Sequence, residues 1–222
     1  MKKKILCYGD SNTFGLKPLN FDLLEKDVII SNLRFSEEMR WTGVLQSELG
    51  KDYKIIEEGL CGRTTVLDDP VEGHHMNGKN YLLPCLLSHA PIDIVVLMLG
   101  TNDLKIRFNL TSSDIALNIF TLINIIQNSS TGLDGKSPVL LLICPPPIGK
   151  LTYFKEWFEE ATEKSKKLAE KYERIARRCN CYFLDAGKIT KSSIIDGIHF
   201  DEESHKNLGL SVAEILKKST RI

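Results

Sequence analysis

Hydrophobic and polar positions alternate along this chain in blocks of two kinds. Short apolar runs of strand length appear at Lys4 to Tyr8, Tyr53 to Glu57, Ile92 to Leu99, Val139 to Cys144 and Tyr182 to Leu184. The run from Ile92 to Leu99 is nearly all apolar and rich in β-branched residues, as expected for a strand covered on both faces. Between them lie stretches with helical spacing. Arg40 to Leu49 places Trp41, Val44, Leu45 and Leu49 on one stripe before Gly50, and Ser113 to Gln127 follows, with Ser112 or Ser113 as N-cap. Tyr153 to Arg178 predicts one long amphipathic helix, and Asp201 to Lys218 a last one.

Strands alternating with helices predict a parallel sheet with helices on both faces. Five strands favour a three-layer α/β/α, doubly wound, flavodoxin-like sheet of order 2-1-3-4-5 within one domain spanning residues 1–222. In that order the switch point lies between the first and third strands, where a ligand should bind at the carboxyl ends. The residues there are Gly9-Asp10-Ser11-Asn12 and Gly100-Thr101-Asn102-Asp103.

Composition narrows the partners. Lys+Arg and Asp+Glu both number 29, so the chain carries no net charge. That balance points away from nucleic acid and anionic membrane surfaces and towards a small neutral substrate. The start, Met1-Lys2-Lys3-Lys4-Ile5-Leu6-Cys7-Tyr8, lacks the apolar stretch of roughly 7–15 residues of a signal peptide. No run approaches the roughly 18 apolar residues of a membrane span, so a cytoplasmic location is expected. The six cysteines (7, 61, 85, 144, 179, 181) show C-x-C rather than C-x-x-C and read as reduced and structural. No metal-ligand spacing, phosphate loop or dinucleotide fingerprint is apparent, so neither a metal nor a cofactor is expected.

Ser11 follows the first strand, where a hydroxyl would project from the functional edge. By itself Gly-Asp-Ser-Asn fits a turn better than a nucleophile. Among five histidines, His74 and His75 read as a loop pair, and His89 precedes the third strand, at its amino end. His205 reads as a solvent-facing position of the last helix. His199, in Asp196-Gly197-Ile198-His199-Phe200, lies in a loop reaching the edge that carries Ser11. Asp196 stands three residues earlier, and Gly197 allows the turn that would bring carboxylate to imidazole. An ester carbonyl also needs donors for its developing negative charge. The side chain of Asn102 and the backbone N–H groups of Gly62 and Ser11 are the candidates; Asn102 fits a turn or cap equally.

Four blocks, Gly9-Asp10-Ser11, Gly62, Gly100-Thr101-Asn102-Asp103 and Asp196-Gly197-Ile198-His199, resemble those of the SGNH (GDSL-type) hydrolases. Arg40-Trp41-Thr42-Gly43, Glu57-Glu58-Gly59-Leu60, Arg63-Thr64-Thr65, Ser88-His89 and Pro145-Pro146-Pro147 extend the likeness to the arylesterase/acyltransferase subfamily. The resemblance implies a serine esterase with Ser11 as nucleophile, His199 as base then acid, and Asp196 as its partner. It also implies an oxyanion hole of Ser11, Gly62 and Asn102. Members hydrolyse short acyl and aryl esters, some transferring the acyl group to alcohols or peroxide, and often form homo-oligomers. Phe14, Phe154, Phe158 and Ile198 are the expected substrate contacts, with Trp157 nearby, although Phe154, Trp157 and Phe158 fit a helix core equally well. Thioesters, sugar O-acetyl groups, or binding without catalysis remain alternatives on the same residues.

Overall fold

The computed structural model describes residues 2–18 and 33–219. Five parallel strands, β1 (Lys3–Gly9), β2 (Tyr53–Gly59), β3 (Ile94–Met98), β4 (Val139–Cys144) and β5 (Tyr182–Asp185), form one sheet. Their order is β2-β1-β3-β4-β5. β1 pairs with both β2 and β3, Gly9 lying opposite Gly59 on one side and Met98 on the other. Every residue of β3 is buried, which is why the sequence there lacks alternation.

Alternate side chains of the central strands feed two cores. Ile5, Cys7, Ile94, Val96, Leu141 and Ile143 pack with Trp41 and Leu45 of α2 (Trp41–Leu49) and with Leu208 and Val212 of α7 (Glu202–Ser219). Leu6, Tyr8, Val95, Leu97 and Leu142 face the other way. They meet α3 (Gly78–His89), α4 (Ser112–Gln127) and α6 (Leu168–Arg178) through residues such as Leu82, Ile119 and Tyr172. Among the described residues no helix is long and apolar enough to cross a membrane.

Three elements depart from the sequence pattern. α3 went unanticipated, because Gly78 opens it and Pro84 sits inside it; both residues depress helical propensity. Its start is fixed by Asn77, whose side chain accepts from Lys79 N–H at 3.0 Å. The N-cap of α4 is Thr111, not Ser112 or Ser113. Its hydroxyl accepts from Asp114 N–H while the Asp114 carboxylate accepts from Thr111 N–H, a reciprocal capping box.

The long helix expected over Tyr153 to Arg178 is broken. Turns run to Glu160, which adopts a left-handed φ of 61°. α5 (Ala161–Ser165) follows, and α6 begins at Leu168. The break has a cause: the Trp157 carbonyl accepts from Ile106 N–H at 2.8 Å, tying this segment to the loop after β3 rather than to a helical ladder.

Candidate active site

β1 ends at Gly9, and Ser11 opens the four-residue helix α1 (Ser11–Phe14). A side chain at position 9 would lie 2.9 Å from the Met98 carbonyl, so only glycine passes. Asp10 caps the turn, its carboxylate accepting from Asn12 N–H at 3.0 Å. Burial pushes the Asp10 carboxyl above its ordinary range.

The loop after β5 brings His199 to Ser11. His199 Nε2 lies 3.1 Å from Ser11 Oγ, and His199 Nδ1 lies 2.6 Å from Asp196 Oδ2. The other Asp196 oxygen accepts from the N–H groups of Ile198 and His199, both at 2.9 Å. Burial would raise the Asp196 carboxyl. The hydrogen bond and charge of His199, with those two backbone donors, outweigh it and hold the group below its usual range. Gly197 has φ of 80°, and a Cβ there would sit 2.6 Å from the Lys150 carbonyl. Asn12 locks this loop to the Ser11 turn: its Nδ2 donates to Ile198 O at 3.3 Å and its Oδ1 accepts from Phe200 N–H at 3.0 Å.

Two of the three candidate oxyanion donors, Gly62 and Asn102, stand in the loops after β2 and β3. Asn102 Nδ2 donates to the Arg63 carbonyl at 3.1 Å; this occupies one of its two amide hydrogens and orients the other. Gly62 has φ of 81°, with the Glu72 carboxylate 2.6 Å from where a Cβ would be. Arg63 is 4% exposed, and its guanidinium donates to the carbonyls of Gly9, at 2.8 Å, and Glu58, while stacking 4.2 Å from the Tyr8 ring centroid. The Asp103 carboxylate accepts from the Thr65 N–H at 3.0 Å and from the Thr65 hydroxyl. Burial raises that carboxyl to about 6.

These groups open into a cavity of about 360 Å³ lined by Ser11, Gly62, Asn102 and His199. One wall is apolar: Leu16, Phe154, Trp157, Phe158 and Ile198. The lining also includes Glu72 and Lys105, paired at 2.6 Å. Asp69 and Arg107 complete this cluster, Arg107 lying 3.0 Å from Asp69 and 3.4 Å from Glu72.

The model of the GDSL-like lipase/acylhydrolase family matches residues 7–206. The chain belongs to this family. Among solved structures it is similar to an aryl esterase of M. smegmatis, with a TM-score of 0.89 and 39% identity over 97% of this chain and 99% of that one. It is also similar to Est24, a carbohydrate acetylesterase from Sinorhizobium meliloti, with a TM-score of 0.90 and 37% identity over 98% of this chain and 99% of that one. A G-D-S-L lipolytic protein of Veillonella parvula, 15% identical with a TM-score of 0.62 over 97% of this chain and 99% of that one, shares the fold. No curated protein matches the chain.

Against this family background the structure sorts the expected residues. It brings together Ser11, His199, Asp196, Gly62 and Asn102, with Phe154, Phe158 and Ile198 on the cavity wall. Phe14 lies outside that lining; the Arg34 guanidinium stands over its ring, 4.1 Å from the centroid, and Arg34 Nε donates to its carbonyl. His205 is buried rather than solvent-facing. Its Nδ1 accepts from Trp41 N–H at 3.2 Å between the rings of Phe35 and Phe200, and burial lowers its pKa to about 3. Sequence reasoning missed Asn12, Arg63, Glu72 and Lys105. Asn12 adjoins Ser11 and Arg63 adjoins Gly62, so position alone could have flagged those two.

Proposed function

We propose that Ser11, His199 and Asp196 are the catalytic triad of this carboxylic ester hydrolase and that it cleaves short acyl and aryl esters through an acyl-enzyme. The observation that carries this reading is the continuous line from Ser11 Oγ through His199 to Asp196, at 3.1 Å and 2.6 Å. Ser11 Oγ attacks the carbonyl carbon as His199 Nε2 takes its proton. The oxygen that becomes negative accepts from the N–H groups of Ser11 and Gly62 and from the Asn102 amide. The imidazolium, paired with Asp196, then protonates the leaving alcohol. Water, deprotonated by the same imidazole, releases the acid. A cavity of about 360 Å³ with an aromatic wall favours short acyl groups. It also lets small alcohols, and peroxide, compete with water for the acyl-enzyme.

A second reading has its own support. Glu72 and Lys105 place an acceptor and a donor in the cavity lining, where the hydroxyls of an O-acetylated sugar would find partners. The six unpaired cysteines support residence in a reducing compartment. Tyr153 and Trp157, 47% and 40% exposed beside the cavity, support a subunit contact across the entrance, which light scattering of the purified chain would test.

Treatment with a fluorophosphonate should give a single adduct, on Ser11, by mass spectrometry. Ser11→Ala should lower kcat for p-nitrophenyl acetate by about 10⁶-fold with an unchanged circular dichroism spectrum. An adduct elsewhere, or activity retained in the variant, would overturn the assignment.

A further inference from the structure

At the edge strand of the sheet, three ligating side chains from two elements meet. Cys85 and His89 stand four residues apart on α3, hence on one helical face. Glu58 comes from β2. One donor atom from each lies within 4.8 Å of the other two, and His89 Nε2 is already 3.0 Å from Glu58 Oε1. We propose that Glu58, Cys85 and His89 form a binding site for Zn²⁺ or a similar borderline-soft divalent ion. This inference does not rest on the esterase reading.

The geometry needs little change. Zinc bonds of about 2.0–2.3 Å in a tetrahedron separate ligand atoms by about 3.3–3.7 Å. The Glu58–His89 contact must open by a few tenths of an ångström, and Cys85 must close by roughly one, within reach of side-chain torsions. Cys85 is fully buried, whereas the side chains of His89 and Glu58 are 32% and 20% exposed. An ion would therefore sit with sulfur beneath it and solvent above, leaving a fourth position for water. One sulfur, one nitrogen and one oxygen select zinc-like ions; Mg²⁺ and Ca²⁺ prefer oxygen alone.

Charge is balanced too. A Cys85 thiolate and the Glu58 carboxylate neutralise a divalent ion. Arg63, the nearby cation, is fixed by the carbonyls of Gly9 and Glu58; burial and the Glu58 carboxylate push the Cys85 thiol up, with Arg63 opposing them, so the ion itself must displace the proton. On binding, the Cys85 sulfur–hydrogen bond breaks, its proton goes to solvent, and the sulfur bonds the ion. His89 carries its remaining proton on Nδ1 and gives the Nε2 lone pair to the metal.

The sequence conceals this site because its third ligand lies 27 residues before Cys85 and only the β2–α3 packing brings it in. A bound ion would cross-link β2 to α3. It would also brace Glu58, whose carbonyl accepts from Arg63, the residue whose own carbonyl orients Asn102.

Titration of EDTA-treated, reduced protein with Co²⁺ tests the proposal. One equivalent should produce the near-ultraviolet thiolate-to-cobalt charge-transfer band, and Zn²⁺ should displace it. At about 100 times its dissociation constant, Zn²⁺ should raise Tm by about 5–10 °C. Cys85→Ser should abolish the band. Glu58→Gln and His89→Gln should each weaken zinc binding at least tenfold, whereas the double variant His74→Ala, His75→Ala should bind as the parent does. Absence of the band in the parent protein would overturn the site. So would parental zinc affinity in Cys85→Ser and Glu58→Gln, or loss of binding in the His74, His75 variant.

Discussion

Asp196 uses its two oxygens differently: one holds the loop backbone through Ile198 and His199 N–H, the other holds the imidazole. Asp196→Asn can keep the first function and loses the second, because an amide nitrogen facing Nδ1 selects the wrong tautomer. The expected result is a fall in kcat of about 10⁴-fold with Tm nearly unchanged, read from ester hydrolysis and thermal melts. These residues were legible in sequence because glycine-flanked polar residues stood at a strand end and in one short loop. His205 was not, because its neighbours Ser204 and Lys206 are polar and only the fold shows Trp41 reaching its ring. Buried near Asp201 and Arg40, it titrates at about 3 in the folded chain, against about 6.5 unfolded. Between those values the unfolded state binds the extra proton, so this stabilising contribution is complete above pH 6.5 and shrinks as pH falls towards 3. At pH 5 the loss is about 2 kcal/mol. Asp103 acts oppositely, since its raised pKa of about 6 lets the folded state hold a proton that the unfolded state releases down to about 4. Urea unfolding of wild type and His205→Gln at pH 7.5 and pH 5 isolates the histidine: the variant should lose about 2 kcal/mol less on acidification. Equal losses would place the imidazole's titration elsewhere.

At the scale of elements, strands were legible and helix limits less so. Burial on both faces leaves a continuous apolar mark, as β3 shows, whereas a helix can be opened by Gly78 or interrupted by a distant amide such as that of Ile106, neither of which the local pattern reveals. The interruption has a functional side. The turns from Tyr153 to Glu160 set Phe154, Trp157 and Phe158 against the cavity, where one straight helix would have run on along the sheet. Two loops must likewise keep register for Ser11 to meet His199, and Asn12 is their clasp through Ile198 and Phe200. Asn12→Ala strands two buried backbone groups, which costs about 2–4 kcal/mol. It also frees the histidine loop to drift, and a shift of about 1 Å can cost 10²-fold in rate. The variant should therefore fold with a lowered Tm and show kcat reduced by ten- to hundredfold. Wild-type kcat alongside the lowered Tm would reduce Asn12 to a purely structural tie.

The whole molecule decides what the cavity prefers, and here the sequence was least informative. Sheet order could be read from five apolar runs, and it fixed where the loops after β1, β2, β3 and β5 converge. Nothing local marks Asp69, Glu72, Lys105 and Arg107 as one cluster, because the acids and bases stand more than thirty residues apart and meet only across two loops. Lys105 is 3% exposed and sits between Asp69 and Glu72. Removing its charge leaves two acids sharing Arg107, so Lys105→Met should destabilise the fold by about 3 kcal/mol. The double variant with Glu72→Gln should recover part of that, because the surplus charge is gone. Substrate choice gives the second readout. If this cluster binds hydroxyls, the ratio of kcat/KM for an acetylated sugar over p-nitrophenyl acetate should fall at least tenfold in the double variant, since buried partners for those hydroxyls are lost while the aromatic wall is untouched. A ratio that stays constant would assign the cluster to stability alone and leave ester choice to Phe154, Trp157 and Phe158.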